Sequence, residues 1–245
     1  MLQQTVTQLK TLKLSGMANA LVQQCEQPGT YEELSFEQRL QLLTDSEQHD
    51  RLLRKQQRLI KSARFKLSAN GQDIDYQHPR GLPQSLMASL LQCEWIHRQQ
   101  NLLITGPCGS GKTYLACALG HTACCKEYSA RYFRLSRLLL ALNQAKADGT
   151  YSKALQSLAK ISLLVIDDWG LEPLNGAQRN DLMEIMDDRH GHASTVMISQ
   201  LPTDQWYVSI GDNTLADAIL DRLMHNAHRI MLKGESMRKM NLNID

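Results

Sequence analysis

The stretch Asn101-Leu-Leu-Ile-Thr105-Gly106-Pro107-Cys108-Gly109-Ser110-Gly111-Lys112-Thr113-Tyr114 decides how the rest of this chain is read. Its first five residues form a short, largely apolar run ending in glycine, the pattern of a strand buried in a parallel sheet. Gly106 to Thr113 then match the phosphate-loop pattern G-x-x-x-x-G-K-[ST] at every fixed position, and a helical segment follows. Each residue type has a chemical reason. Glycines let the backbone fold around phosphate with its N–H groups turned inward. A helix beginning near Lys112 aims the positive end of its dipole at the same place. Lys112 supplies a point charge for the β- and γ-phosphates, and the Thr113 hydroxyl suits Mg2+. Residues 106–114 are therefore the candidate nucleotide-binding segment, with ATP and Mg2+ as the expected cofactors.

Downstream, strand-like and helix-like segments alternate. A helix is expected from Lys112 to about Cys125, a strand at 131–134, two helices from Ser136 to about Lys160 with Asp148-Gly149 as their turn, and strands at 161–166, 195–199 and 228–232. Strands separated by helices imply an α/β fold, a five-stranded parallel sheet with helices on both faces. The third strand closes as Leu163-Leu-Val-Ile-Asp167-Asp168. An apolar run followed by an acid, placed after a complete phosphate loop, is the Walker B pattern. Asp167 is the candidate carboxylate for Mg2+, and Asp168 stands where such ATPases place the acid that polarises the attacking water.

Upstream, residues 1–69 read as a small all-helical domain. Leucines recur at helical spacing, Pro28-Gly29 breaks the run, and Ser35 followed by Glu37 and Gln38 can open the next helix. Residues 70–83 carry two Gly and two Pro without periodicity and read as a linker, leaving 84–245 as the ATPase domain. The 245 residues include 42% hydrophobic ones, enough for a substantial core, and 21% charged ones with a net charge of +2. So small a net charge means that any case for nucleic-acid binding must be local. The six cysteines show neither C-x-x-C pairs nor zinc spacing, and no apolar run approaches the ~20 residues that cross a bilayer. A cytoplasmic, non-membrane protein is expected.

One local case for nucleic acid exists. Arg51-Leu-Leu-Arg54-Lys55-Gln-Gln-Arg58-Leu-Ile-Lys61-Ser-Ala-Arg64-Phe-Lys66 holds seven basic residues and no acid. Arg51, Arg54, Arg58 and Lys61 fall on one helical face, with Leu52, Leu59, Ile60 and Ala63 free to face a core. Such a stripe suits phosphate-backbone contact without base reading.

Several stretches together resemble one family: Leu12-Lys-Leu-Ser-Gly-Met17, Ala63-Arg-Phe65, the phosphate loop, Leu163 to Gly170, Ser199-Gln-Leu-Pro202 with Trp206, Ala218-Ile-Leu-Asp-Arg222-Leu223 and Lys233-Gly-Glu-Ser-Met-Arg238. The chain is similar to the IstB-like transposition helper ATPases of insertion sequences, AAA+ relatives of the helicase loader DnaC. The resemblance spans nearly the whole chain. It implies an AAA+ ATPase that oligomerises on duplex DNA with ATP, assists a transposase in engaging its target, and lets go on hydrolysis. It also implies residue roles: Arg222 as an arginine finger reaching a neighbour's ATP, Arg238 as a sensor arginine within its own chain, and Ser199 or Gln200 as the polar sensor after the fourth strand. Arg134 and Arg137 lie where AAA+ initiator-type proteins insert an extra helix, and are further candidates for DNA. The chain departs from the pattern at Asp168, where relatives usually carry Glu, and at Gln200, where Asn is commoner. Asp sets its carboxylate back by one C–C bond, about 1.5 Å, which implies slow hydrolysis.

A helicase loader would share the same ATP site and differ in its N-terminal partner. A small-metabolite kinase would need an Arg-rich lid and would not use Arg222 from a neighbour. A nucleotide-gated scaffold that does not hydrolyse is the third alternative.

Overall fold

The computed structural model describes residues 1–237. They form two compact units, divided between Arg58 and Leu59.

The first unit contains α1 (Leu2–Thr11), α2 (Ser15–Glu26), the short α3 (Pro28–Tyr31) and the greater part of α4 (Phe36–Ala63). Pro28 occupies the first turn of α3, where its missing N–H costs nothing. Ser35 opens α4 with a reciprocal cap: its N–H donates to Gln38 Oε1 at 2.8 Å, and Gln38 N–H donates to Ser35 Oγ at 3.3 Å. The Leu12–Met17 stretch acquires a physical reason here. Glu47 of α4 is buried, and its Oε2 accepts the N–H groups of Gly16 and Met17 at 2.8 and 3.3 Å, capping the start of α2. Burial opposes its charge, yet Arg51 and these two N–H groups hold its pKa below the usual carboxylate range. A Cβ on Gly16 would lie 2.6 Å from the Ser46 carbonyl, so α2 and α4 approach backbone to backbone. Gly16→Ala is therefore expected to destabilise this unit by about 2–3 kcal/mol through overpacking. Hydrogen exchange of the α2 and α4 amides measures this, and a change below about 0.5 kcal/mol would mean that the two helices separate freely.

The second unit runs from the end of α4 through α5 (Gln84–Leu91), α6 (Glu94–His97), β1 (Asn101–Thr105), α7 (Lys112–Cys125), β2 (Ala130–Arg134), α8 (Leu135–Ala147), α9 (Tyr151–Ala159), β3 (Leu163–Trp169), α10 (Gly176–Arg189), β4 (Ser194–Ser199), α11 (Trp206–Ile210), α12 (Asn213–Met224) and β5 (Ala227–Met231). The five strands form one parallel sheet in the order β2-β3-β4-β1-β5. The interior strands β1, β3 and β4 are buried almost throughout, whereas the edge strands β2 and β5 carry Arg131, Arg134, His228 and Arg229. Alternate residues serve opposite faces. Leu102, Ile104, Leu163, Val165, Val196 and Ile198 pack with α5, α6 and α7, while Leu103, Leu164, Ile166 and Met197 pack with α8 to α12. Each interior strand therefore carries a continuous apolar run, as a sheet covered on both faces requires.

Residues 59–83 belong to this unit. Ala63, Ala69 and Ile74 lie in the α7-side core, and the Phe65 ring fills the space beside Gly120, where a Cβ would meet it at 2.4 Å. Leu52, which the sequence places among the core-facing residues of α4, is instead 36% exposed.

Candidate functional site

The carboxyl ends of β1, β4 and β3 stand level, with Thr105 paired to Ser199 and Ser199 to Trp169. In an open α/β sheet that edge is where ligands bind. A cavity of about 730 Å3 lies there, lined by the phosphate loop and by Arg134, Asp167, Asp168, Gln200 and residues between Lys66 and Arg80.

The loop, Gly106 to Gly111, leaves β1 and runs directly into α7. Ser110 is fully buried and its Oγ donates to the Pro107 carbonyl at 2.9 Å, while Pro107 and Cys108 are exposed. Lys112 begins α7 and is 8% exposed, and its Nζ donates to the Gly106 and Pro107 carbonyls at 2.7 Å each. The loop and its lysine thus meet in one small volume at a helix N-terminus, a ready place for anionic phosphate. Tyr114 also lines the cavity.

Thr113 and Asp167 come together as their motifs predict. Thr113 Oγ1 donates to Asp167 Oδ2 at 2.8 Å, and the same oxygen accepts Tyr132 OH at 2.6 Å. Asp167 is 2% exposed, so its charge is held in a nearly dry place by two hydroxyl donors and by the Asp168 N–H, 2.8 Å from Oδ1. Tyr132 was not singled out from sequence. Burial first, then its hydrogen bond to Asp167, pushes its phenol pKa well up, so it remains a donor. Among the described residues no group of three or more His, Cys, Asp or Glu could hold a metal by itself. A threonine hydroxyl beside one carboxylate suits Mg2+, which keeps several waters and shares the phosphates as ligands.

Asp168 adopts φ +65°, and the β3–β4 ladder shifts register between Ile166 and Trp169. A non-glycine residue in the left-handed region at a bulge is strained, and such strain collects at functional sites. The bulge lets consecutive acids both serve the cavity, although a regular strand would send them to opposite faces. Asp168 Oδ2 pairs with Arg134 Nε at 3.0 Å. Arg134, a sequence candidate for DNA contact, is thus placed at this cavity. Arg137 is exposed on α8.

Ser199 is 1% exposed, with its Oγ donating to the Trp169 carbonyl at 2.8 Å and accepting Leu201 N–H at 3.0 Å. It ties β3 to β4, whereas the neighbouring Gln200 is exposed on the cavity wall. Trp206 is buried 5.2 Å from Trp169 and donates to the Leu201 carbonyl at 3.0 Å, fixing the segment after β4.

Arg222 is not among the residues lining the cavity. Its Nε and Nη2 lie 2.8 and 2.7 Å from Asp187 Oδ1, and its Nη1 donates to the Ala218 carbonyl at 3.0 Å. From β1, Asn101 Nδ2 donates to the Arg222 carbonyl at 3.1 Å and anchors the end of α12. Arg238 lies outside the described residues.

On α4, Lys55, Arg58 and Lys61 are exposed, as is Arg64 just past its end. The basic segment itself holds no acid, but Glu47 and Asp50 stand one turn upstream. Arg51 Nε lies 2.7 Å from Glu47, and Arg54 Nη2 lies 2.8 Å from Asp50. No helix among the described residues is long and apolar enough to cross a membrane.

Comparison with known proteins agrees with this geometry. Among solved structures, the DnaC helicase loader aligns at a TM-score of 0.53 and 21% identity, covering 67% of this chain and 97% of that one. The nucleotide-bound DnaA of Aquifex aeolicus aligns at 0.58 and 16%, covering 73% and 56%. At these identities the likeness shows the fold alone, a five-stranded parallel sheet with helices on both faces. By sequence, an insertion-sequence ATP-binding protein of Sinorhizobium fredii is 46% identical over 235 residues, 96% of each chain. The ATP-binding protein of the insertion sequence IS1162 from Pseudomonas fluorescens is 47% identical over 204 residues, 83% of this chain and 88% of that one. The family model of the IstB-like ATP-binding proteins matches residues 7–243, and to that family this chain belongs.

Proposed function

We propose that this chain is a Mg2+-dependent ATPase of the cytoplasm that assembles on duplex DNA when ATP is bound, helps a transposase engage its target, and disassembles on hydrolysis. The observation that carries the ATPase reading is the Thr113–Asp167 pair beside the phosphate loop, with Asp168 next to it at the cavity. The names of the relatives carry the transposition reading, since they are insertion-sequence proteins matched over most of their length.

Residues 106–114 would bind ATP, with Lys112 on the β- and γ-phosphates. Thr113 and Asp167 would hold Mg2+, which when bound neutralises phosphate charge and polarises the γ-phosphoryl group. Tyr132 fixes the Asp167 carboxylate. Asp168 would orient the attacking water, and it must first give up the Arg134 guanidinium that holds it at 3.0 Å. Gln200 supplies the polar sensor at the cavity wall, and Arg238 a sensor arginine. Arg222, turned away from its own cavity, would complete the site of a neighbouring copy in a ring or spiral.

DNA would meet α4 and the exposed face of α8 near Arg137. The binding is to phosphate, because aromatic residues make up only 5% of the chain and stacking has few platforms. Replacing Arg58 and Lys61 with Ala is expected to weaken DNA binding equally for all sequences and to flatten the log–log salt dependence by about 0.9 per lost contact. Replacing Arg51 and Arg54 should change the slope less, because Glu47 and Asp50 already offset their charge. Filter binding across a salt series reads both, and an unaltered slope for Arg58 and Lys61 would make this face merely solvated. The assignment as a whole is tested by ATP turnover with and without duplex DNA: DNA-stimulated hydrolysis supports it, and its absence in a DNA-bound protein leaves the scaffold reading.

A further inference from the structure

Behind the phosphate loop lies an arginine that no sequence motif marks. Arg80 is 1% exposed. Its Nη1 donates to the Ser110 carbonyl at 3.2 Å and lies 3.0 Å from Met237 Sδ, and its Nη2 donates to the Asp75 carbonyl at 2.8 Å. Its Nε is buried and has no hydrogen-bond partner among the described residues. Beside Arg80 stands Gly111, where φ is +90° and a Cβ would lie 2.3 Å from Nη1. No side chain could stand there with Arg80 in place. The same neighbourhood is stitched by Lys233 N–H to the Arg80 carbonyl at 2.8 Å and Met237 N–H to the Gly109 carbonyl at 3.0 Å.

A second buried arginine shows what a purely structural role looks like. Arg189 is 2% exposed, and its guanidinium bonds Thr195 Oγ1 and the carbonyls of Leu158, Ile161 and Ser194, away from the cavity. Arg80 instead borders the cavity, and its Nε has no partner among the described residues. Its acceptors are two carbonyls and a thioether. Burial works against its charge, and the nearby Asp75 only partly restores it. Arginine keeps its charge even so, and a buried, incompletely matched charge is strongly unfavourable. A polyanion at the loop is the counter-charge that this site can receive.

We propose that Arg80 is a positioning residue for nucleotide phosphates. A peptide unit is planar, so the fork that holds the Ser110 carbonyl also sets the direction of the Gly111 N–H. The buried charge adds to the attraction for polyphosphate and couples its binding to the 75–80 and 232–237 segments. This inference rests on residues 106–113 being the nucleotide site.

The test uses the full chain with Arg80→Lys and Arg80→Met, titrated with ATP, tripolyphosphate and adenosine and followed by thermal melting. Both variants are expected to lose about tenfold or more in affinity for ATP and tripolyphosphate, the scale of one lost charged hydrogen bond. Adenosine binding should change less than twofold. Lysine should not rescue, because one ammonium cannot hold the Ser110 and Asp75 carbonyls together. If Arg80→Met fails to fold, Arg80→Lys, which keeps the charge, decides the matter. The proposal is overturned if Arg80→Lys binds ATP and tripolyphosphate within twofold of the unaltered chain, or if adenosine binding falls as far as ATP binding. An unaltered chain that binds neither ATP nor tripolyphosphate would overturn the nucleotide site itself, and this inference with it.

Discussion

Arg222→Ala is expected to lower DNA-supported ATP turnover by about 10³-fold or more, the scale of a lost arginine finger, while leaving ATP binding by the single chain nearly intact. Binding should survive because Arg222 does not line its own chain's cavity. The fold should survive because what it loses, a partly exposed ion pair with Asp187 and a hydrogen bond to the Ala218 carbonyl of its own helix, is worth little. Arg222→Lys should not restore turnover, since an ammonium lacks the planar fork that spreads over phosphoryl oxygens. Mixing Arg222→Ala with Lys112→Ala gives the sharper reading. Some sites in the mixed assembly would join a sound phosphate loop from one chain to a sound Arg222 from another, so part of the activity should return. Co-assembly without any recovery would mean that Arg222 does not act across an interface.

Lys112→Ala is expected to abolish detectable ATP binding. Lys112 is the point charge for the β- and γ-phosphates, and its ammonium is held at the loop by the Gly106 and Pro107 carbonyls. The protein should stay folded, because the sheet and both cores are built from other residues. Equilibrium titration with a fluorescent ATP analogue measures the loss, and undiminished affinity in a folded Lys112→Ala chain would remove the phosphate-loop assignment.

What the sequence revealed and what it concealed have a common cause. The phosphate loop, the Asp167 strand end and the five strands are local patterns, and each survives as an unbroken run of residues. Thr113 and Asp167 could be paired in advance because each belongs to a motif with a fixed task. Arg80 and Tyr132 belong to no motif. They matter because the sheet and the 59–83 segment bring them to the site, and nothing in their immediate neighbours signals that. Residues 70–83 read as a linker for the same reason: with no period to follow, the burial of Ile74 and Arg80 leaves no trace in the spacing. Arg134 read as a candidate for DNA contact because its partner, Asp168, lies on the adjacent strand, one residue beyond the Arg134–Asp167 register pair. On α4 the 51–66 segment reads as purely basic because its acids, Glu47 and Asp50, stand just upstream of it, where i,i+4 pairing operates.

The proposed control of DNA assembly by ATP is read by sedimentation of the full protein with duplexes of increasing length. With a non-hydrolysable ATP analogue, the complex should grow in steps with duplex length. Without nucleotide, or with Lys112→Ala, it should not grow. Complexes of one chain per duplex, unchanged by nucleotide at every length, would contradict the claim.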